Sequence, residues 1–142
     1  MERGLIVAEA RAWIGTPYTH QASLRGVGCD CLGLVRGVWR ALIGPEPEPL
    51  PAYTPDWADV TGVVPLHRAL HRWFTPVPWP QPGDLVGFAM RPGGGVKHLA
   101  LVSGPGTLVH AYWGRAVVES RFGGWWRSRL AYAGAFPGVA DG

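Results

Sequence analysis

Asp30-Cys31-Leu32-Gly33-Leu34-Val35-Arg36-Gly37-Val38-Trp39-Arg40-Ala41-Leu42 is the stretch that organises this chain. Cys31, Leu34, Val35, Val38 and Leu42 recur at spacings of three and four, the stripe of an amphipathic helix. Asp30 is a good N-cap type, because its short carboxylate can accept from the orphan N–H groups of the first turn, and Gly44-Pro45 supplies the stop. Cys31 then takes the first helical position. A thiol there faces unpaired N–H groups and the positive end of the helix dipole, both of which favour the thiolate. The stretch therefore offers a candidate nucleophile at the head of a helix whose flank is apolar.

Working outward, Leu5–Ile14 predicts another helix, since Ile6, Ala10, Trp13 and Ile14 fall three to four apart before Gly15 and Pro17 end it. Thr16–Cys29 has no periodicity and reads as a loop. On the other side, Gly44–Pro55 carries Pro45, Pro47, Pro49, Pro51 and Pro55 and predicts an extended surface connection. A short helix is expected over Leu66–Phe74, with Pro65 at its start and Leu66, Leu70 and Trp73 on one side. From Pro76 the pattern changes to short apolar runs between Gly-rich turns: Asp84–Met90, Lys97–Ser103, Thr107–Tyr112, Ala116–Ser120 and Leu130–Phe136. Helices followed by strands predict an α+β fold in which the N-terminal helices pack on a small, curled antiparallel β-sheet.

With 142 residues the chain is expected to be a single domain, 1–142. Hydrophobic residues are 47% and charged residues 16%, which excludes a disordered chain. The 21 Gly and 14 Pro have no period, which excludes collagen-like and low-complexity classes. The net charge of +3 comes from scattered basic residues, and only Arg121–Arg129 is locally basic and aromatic, so no nucleic-acid partner is expected. No apolar run is long enough for a membrane span. Glu2, Arg3, Glu9 and Arg11 break up the N-terminal stretch, so no signal peptide is read there and synthesis in the cytoplasm is expected.

A nucleophilic cysteine needs a base within hydrogen-bond reach and a third group to hold that base. His98 opens one expected strand and His110 lies near the end of the next, so a hairpin around Gly104–Gly106 would make them neighbours. One ring could then face Cys31 while the other orients it. Cys29 and Cys31 stand one residue apart, so a disulfide between them would close a strained ring, and Cys29 reads as structural filler. Cys29, Cys31, His98 and His110 are also zinc-ligand types, but Cys-x-Cys lacks the usual spacer, and neither metal nor cofactor is expected. His67 and His71, four apart on a helix without a third ligand, read as solvated surface. Asp84 reads as a carboxylate that fixes the turn into its strand.

Five segments in series carry a resemblance. Gly15-Thr16-Pro17-Tyr18, Asp30-Cys31-Leu32-Gly33-Leu34-Val35, Pro82-Gly83-Asp84-Leu85-Val86, His98-Leu99-Ala100-Leu101-Val102-Ser103-Gly104 and Val109-His110-Ala111 resemble the successive motifs of NlpC-type cell-wall peptidases, which are papain-like cysteine peptidases. The resemblance implies Cys31 as nucleophile, His98 as general base and His110 as the residue orienting His98. It places Tyr18 beside the nucleophile, where its hydroxyl or the local backbone helps hold the oxyanion. On the residues' own reading, Asp30 is adjacent to the nucleophile and substrate, and His20 is a loop histidine that either lines the substrate groove or has no role. It implies cleavage of peptidoglycan stem peptides, commonly between γ-D-glutamate and a diamino acid, without metal. Two departures bear on substrate detail: Leu32 replaces the small Ser common after the nucleophile, and His20-Gln21 stands where the family often has a Gly-rich turn.

More narrowly, the small single domain and the Gly28-Cys29-Asp30-Cys31 run resemble the peptidase subunits of phage tails and phage-like gene transfer agents. That implies tail hub or baseplate partners, carriage in a phage-like particle and action in the periplasm of the recipient cell. Trp113 and Trp125-Trp126 would then be a docking surface, with groove lining and core filling as the alternatives. The competing functional readings are a catalytically silent structural subunit of such a tail and a cytoplasmic amidase acting on recycled wall fragments.

Overall fold

A computed structural model describes residues 1–47, 63–112 and 114–139, the side chains of 63–67 excepted. The prolines expected in an extended connection at Pro49, Pro51 and Pro55, the His67 side chain and Trp113 lie outside the described residues.

Helix α1 (Arg3–Ala12) buries Ile6, Val7 and Ala10 and is capped at its C-terminus by Trp13, two residues earlier than the spacing predicts. The difference is one of end fraying: Trp13 leaves the helix yet stays buried, with its indole N–H donating to Glu9 at 3.0 Å. Helix α2 (Cys31–Leu42) begins where the sequence places it. Asp30 is extended at φ −102, ψ −172, and its side chain accepts from the Gly33 N–H, the behaviour of an N-cap. Where α1 meets α2, a Cβ on Gly37 would stand 2.0 Å from the Trp13 ring, so glycine sets the closeness of the two helices. Helix α3 (Val63–Trp73) starts three residues before the expected Leu66.

The segment read as an unstructured loop contains a small antiparallel ribbon, β1 (Ser23–Leu24) and β2 (Gly28–Cys29). Too short to show periodicity, it is set by backbone hydrogen bonds from Cys29 N–H to the Pro17 carbonyl and from Thr19 N–H to the Cys29 carbonyl. The main sheet comprises β3 (Thr75–Pro76), β4 (Leu85–Ala89), β5 (Val96–Gly104), β6 (Thr107–Ala111), β7 (Val117–Arg121) and β8 (Leu130–Ala135). Its order is β3-β8-β4-β5-β6-β7, so the last strand inserts beside β4. All of its pairings are antiparallel. A one-turn helix α4 (Gly124–Arg127), absent from the sequence reading, fills the connection between β7 and β8.

Strand alternation divides the core. Leu85, Leu99, Leu101 and Val109 face the helices and join Ile6, Trp13, Leu34 and Val38 in the larger cluster. Val86, Phe88, Ala100, Val102 and Leu108 point the other way and pack with Phe122 and Trp126. Burying side chains such as Leu34, Leu99 or Leu101 stabilises by about 1.5–3 kcal/mol each relative to exposure. The buried Asp84 has the turn role read for it: it accepts from Gln81 N–H at 2.8 Å and from the Arg3 guanidinium, tying the entry of β4 to α1. His71 is exposed, as expected, and lies beside the Tyr132 ring at 5.2 Å between centroids.

Candidate active site

The nucleophile side is built by Asp30. Its Oδ1 accepts from Gly33 N–H at 2.7 Å and its Oδ2 from Gln21 N–H at 2.7 Å, so one buried carboxylate holds both the helix start and the loop before it. His20 Nδ1 lies 3.8 Å from Oδ2. Gln21 adopts the left-handed region, φ 64, to aim its N–H at Asp30. This explains why glycine suits the turn and what a non-glycine residue must do there. The Asp30 N–H donates to the Ala22 carbonyl, and the Ser23 hydroxyl donates to the Gly33 carbonyl at 2.6 Å. A Cβ on Gly33 would lie 1.9 Å from the Ala22 oxygen, a contact of backbone on backbone that only glycine permits.

Tyr18 bridges to Cys29 in parallel, which brings it alongside the start of α2. Burial pushes its hydroxyl up to about 12, with the charges of Cys31, Asp30 and Cys29 adding to the rise, so it stays a neutral donor. Cys29 is wholly buried and its thiol is pushed up to about 12 by burial and then by Asp30, in keeping with a packing role. Both cysteines are free thiols.

Cys31 sits at the first helical position but not as a resting thiolate. Burial pushes its thiol up to about 12 and the Asp30 charge adds to this, outweighing the opposing pull of the backbone N–H groups of Leu99, Leu32 and Cys31 itself. The expectation from helix position is corrected here for a physical reason: the N–H groups are present, but the capping carboxylate and the dry surroundings dominate them. The Leu99 N–H belongs to the peptide unit that follows His98, so the thiol rests against β5 one residue from the expected base.

The base side is built from rings. His98 Nε2 and His110 Nδ1 stand 2.7 Å apart and form a hydrogen bond, as strand neighbours of one hairpin can. His110 Nε2 is 3.0 Å from the Ser120 hydroxyl. His98 is stacked on Trp126, 5.3 Å between centroids at 28°, and on Phe88 at 6.3 Å. Trp126 meets His110 edge-on at 5.4 Å, and Tyr112 lies 5.7 Å from His98. Burial and the charge of His110 hold His98 down at about 3, and burial holds His110 at about 4, so both rings are neutral near neutral pH. Among the described residues no hydrogen bond joins Cys31 to His98. A cleft of about 450 Å³ lined by His110, Tyr112, Arg115, Val118, Ser120 and Trp126 opens next to the pair.

The structure thus gathers Tyr18, His20, Cys29, Asp30 and Cys31 at the head of α2 and His98 with His110 on the sheet beside it. Phe88 and Ser120 are not legible in the sequence as parts of the site. Of the two tryptophans expected as docking surface, groove lining or core, Trp125 is well exposed, at 52%, while Trp126 lines the cleft against His98 and His110. The signal available for Ser120 was its period-two register with Val118, which puts it on the His110 face once β6 and β7 are paired. Among the described residues no cluster of three or more His, Cys, Asp or Glu is arranged to hold a metal.

No protein-family model matches the chain. It is 28% identical over 131 residues to a gamma-DL-glutamyl hydrolase of Bacillus subtilis (strain 168), an alignment covering 88% of this chain and 27% of that protein. The chain therefore spans about a quarter of the length of that relative. Among solved structures it is similar to the NlpC/p60 domain of the peptidoglycan hydrolase SagA, with 28% identity, a TM-score of 0.67 and coverage of 96% of this chain and 100% of that one. It is also similar to an NlpC/p60 family protein from Bacillus cereus ATCC 10987, at 22% identity and TM-score 0.68, covering 94% of this chain and 40% of that one. The fold is that of NlpC/p60 domains, a papain-like α+β arrangement.

Proposed function

We propose that this chain is a cysteine endopeptidase that cuts peptidoglycan stem peptides at the bond between γ-D-glutamate and a diamino acid. One observation carries the reading: Cys31 heads a capped helix against the β5 backbone next to His98, which is hydrogen-bonded to His110 at 2.7 Å. The likeness to a gamma-DL-glutamyl hydrolase and to the SagA domain supports the substrate class.

With thiol and imidazole both neutral at rest, His98 acts as general base during attack rather than as one half of a preformed ion pair. Cys31 Sγ bonds to the γ-carbonyl carbon while its proton passes to His98. The oxyanion is held by the Cys31 N–H and the neutral Tyr18 hydroxyl. His98 then returns the proton to the leaving amine as the C–N bond breaks. Water, deprotonated by His98, attacks the thioester and releases the carboxylate and the free thiol. His110 keeps His98 oriented, and Asp30 with His20 shapes the wall beside the nucleophile.

The finer reading makes the enzyme a tail-tip or baseplate component that opens the wall for DNA delivery and acts in the recipient's periplasm. The motif resemblance and the exposed Trp79 and Trp125 support it. A second reading, the catalytically silent tail subunit, is favoured by the protonated thiol and the missing Cys31–His98 hydrogen bond.

Digestion of purified Gram-negative sacculi, with released muropeptides identified by mass, separates these readings. Wild type and Cys29→Ala should cut a γ-D-glutamyl–diamino acid bond, while Cys31→Ala and His98→Ala should not. Folded, reduced protein that cuts nothing puts the silent subunit ahead. Detection of the chain in purified particles by mass spectrometry would support the tail role. Activity confined to soluble muropeptides without particle association would instead favour the recycling amidase.

A further inference from the structure

We infer that Ser120 is a positioning residue that ends a directed hydrogen-bond chain, His98 to His110 to Ser120, and thereby keeps His98 in the tautomer able to accept the Cys31 proton. The inference rests on the cysteine-peptidase reading above and extends it by one residue. His98 engages His110 through Nε2, which leaves Nδ1 as the nitrogen available to a thiol. His110 uses Nδ1 for that bond, which leaves Nε2 for Ser120 at 3.0 Å.

Only two proton arrangements satisfy both contacts. In one, His98 Nε2–H donates to His110 Nδ1, and His110 Nε2–H donates to Ser120 Oγ. His98 Nδ1 then carries a lone pair and can take the thiol proton. In the other, the Ser120 hydroxyl donates to His110 Nε2, and His110 Nδ1–H donates to His98 Nε2. His98 then carries its proton on Nδ1 and cannot serve as base. The first arrangement places both rings in the Nε2–H form that a free histidine side chain prefers, and the second places both in the disfavoured form. Because the second arrangement is disfavoured in both rings, the chain runs from His98 to His110, and the Ser120 oxygen accepts the Nε2–H that would otherwise face the cleft without a protein partner.

The fold explains why a residue of β7 supplies it. His110 pairs with Val118 and Leu108 with Ser120, so Ser120 sits diagonally from His110 on the same face of an antiparallel pair. Glu119 between them points to the opposite face, where it meets Arg11, and leaves no carboxylate to compete for His110. Ser120 and His110 both line the cleft of about 450 Å³ beneath Trp126.

The test uses histidine-¹⁵N-labelled wild type, Ser120→Ala and Ser120→Thr, with long-range proton–nitrogen correlation spectra reporting which ring nitrogen is protonated. Wild type and Ser120→Thr should show His98 and His110 as Nε2–H. Ser120→Ala should show His110 exchanging between tautomers. On a γ-D-glutamyl–diaminopimelate peptide, Ser120→Ala should lower kcat about three- to tenfold, the share of one neutral hydrogen bond, with KM within about twofold. Ser120→Thr should restore it. Wild-type His110 protonated at Nδ1, or tautomers unchanged in Ser120→Ala, would overturn the assignment. If the wild type cuts no peptide the peptidase reading fails, while the spectra still decide the direction of the chain.

Discussion

Cys31 and the His98–His110 pair are positioned by opposite means. The head of α2 is a polar, backbone-bonded structure in which the Asp30 carboxylate collects N–H groups from Gln21 and Gly33 and the Ser23 hydroxyl holds the Gly33 carbonyl. All of its parts come from one continuous segment. The histidine side is assembled from β4, β5, β6, β7 and α4, and aromatic rings hold it: Phe88, Tyr112 and Trp126 around His98, with one hydrogen-bond chain through the middle. The difference teaches that position and chemistry are secured separately here. Damage to the frame at Asp30 and Gly33 should appear first as lost stability, and loss of a reacting group or of the ring cover over His98 as lost rate.

The largest effects come from removing the reacting atoms, which tests whether the two sides form one device. Cys31→Ala and His98→Ala should each lower turnover of a γ-D-glutamyl peptide by at least about 10³-fold with thermal midpoints close to wild type. Cys29→Ala, a buried-packing change, should keep turnover. A Cys31→Ala protein that still turns over would break the comparison outright. Next is Gly33→Ala, whose Cβ would stand 1.9 Å from the Ala22 oxygen. It should cost about 3 kcal/mol or more in urea unfolding, because the clash is with backbone on both sides.

Asp30→Ala should cost about 1–3 kcal/mol by stranding two backbone N–H groups. Trp126→Ala sharpens the contrast from the other side: kcat should fall about tenfold as the histidine pair loses its cover, with a smaller stability loss than Asp30→Ala, from paired kinetic and denaturation measurements. A result in which Trp126→Ala destabilises more than it slows would erase the distinction.

The remaining effect is on pH dependence. His98 and His110 have folded values of about 3 and about 4, below the ordinary value of 6.5, so the unfolded chain binds more protons in the interval between. By linkage, stability rises with pH through that interval and falls as pH is lowered below about 6.5. The urea midpoint should therefore drop between about pH 7 and pH 5, and a His98→Gln, His110→Gln protein should show a flatter dependence over the same range. An unchanged slope would mean the rings are not held neutral by burial.

The same contrast explains what the sequence made legible. The α2 boundary, the Asp30 cap and the core strands β4–β6 followed from local patterns, because cap, stripe and alternation are written in adjacent residues. The ribbon at Ser23–Leu24 and Gly28–Cys29 was missed because two-residue strands have no period to read. The place of β8 between β3 and β4 was not legible either, since order within a sheet depends on pairings far apart in the chain. Trp126 and Ser120 join the site only once distant strands have paired. The raised thiol of Cys31 is not legible in the sequence, because helix position carries no information on how dry the surroundings are.

The insertion of β8 beside β4 has a consequence in time. While the ribosome has not yet released Leu130–Ala135, β4 lacks one of its two neighbours, and Phe88, which backs His98, belongs to an edge. A growing chain thus carries Cys31 early and obtains a finished wall beside His98 only once Leu130–Ala135 has emerged. Ribosome-stalled chains ending before Leu130 should label at Cys31 as freely as unfolded protein, and chains extended past Ala135 should resist. The order of synthesis therefore separates the segment that carries Cys31 from the strand that completes the wall beside His98.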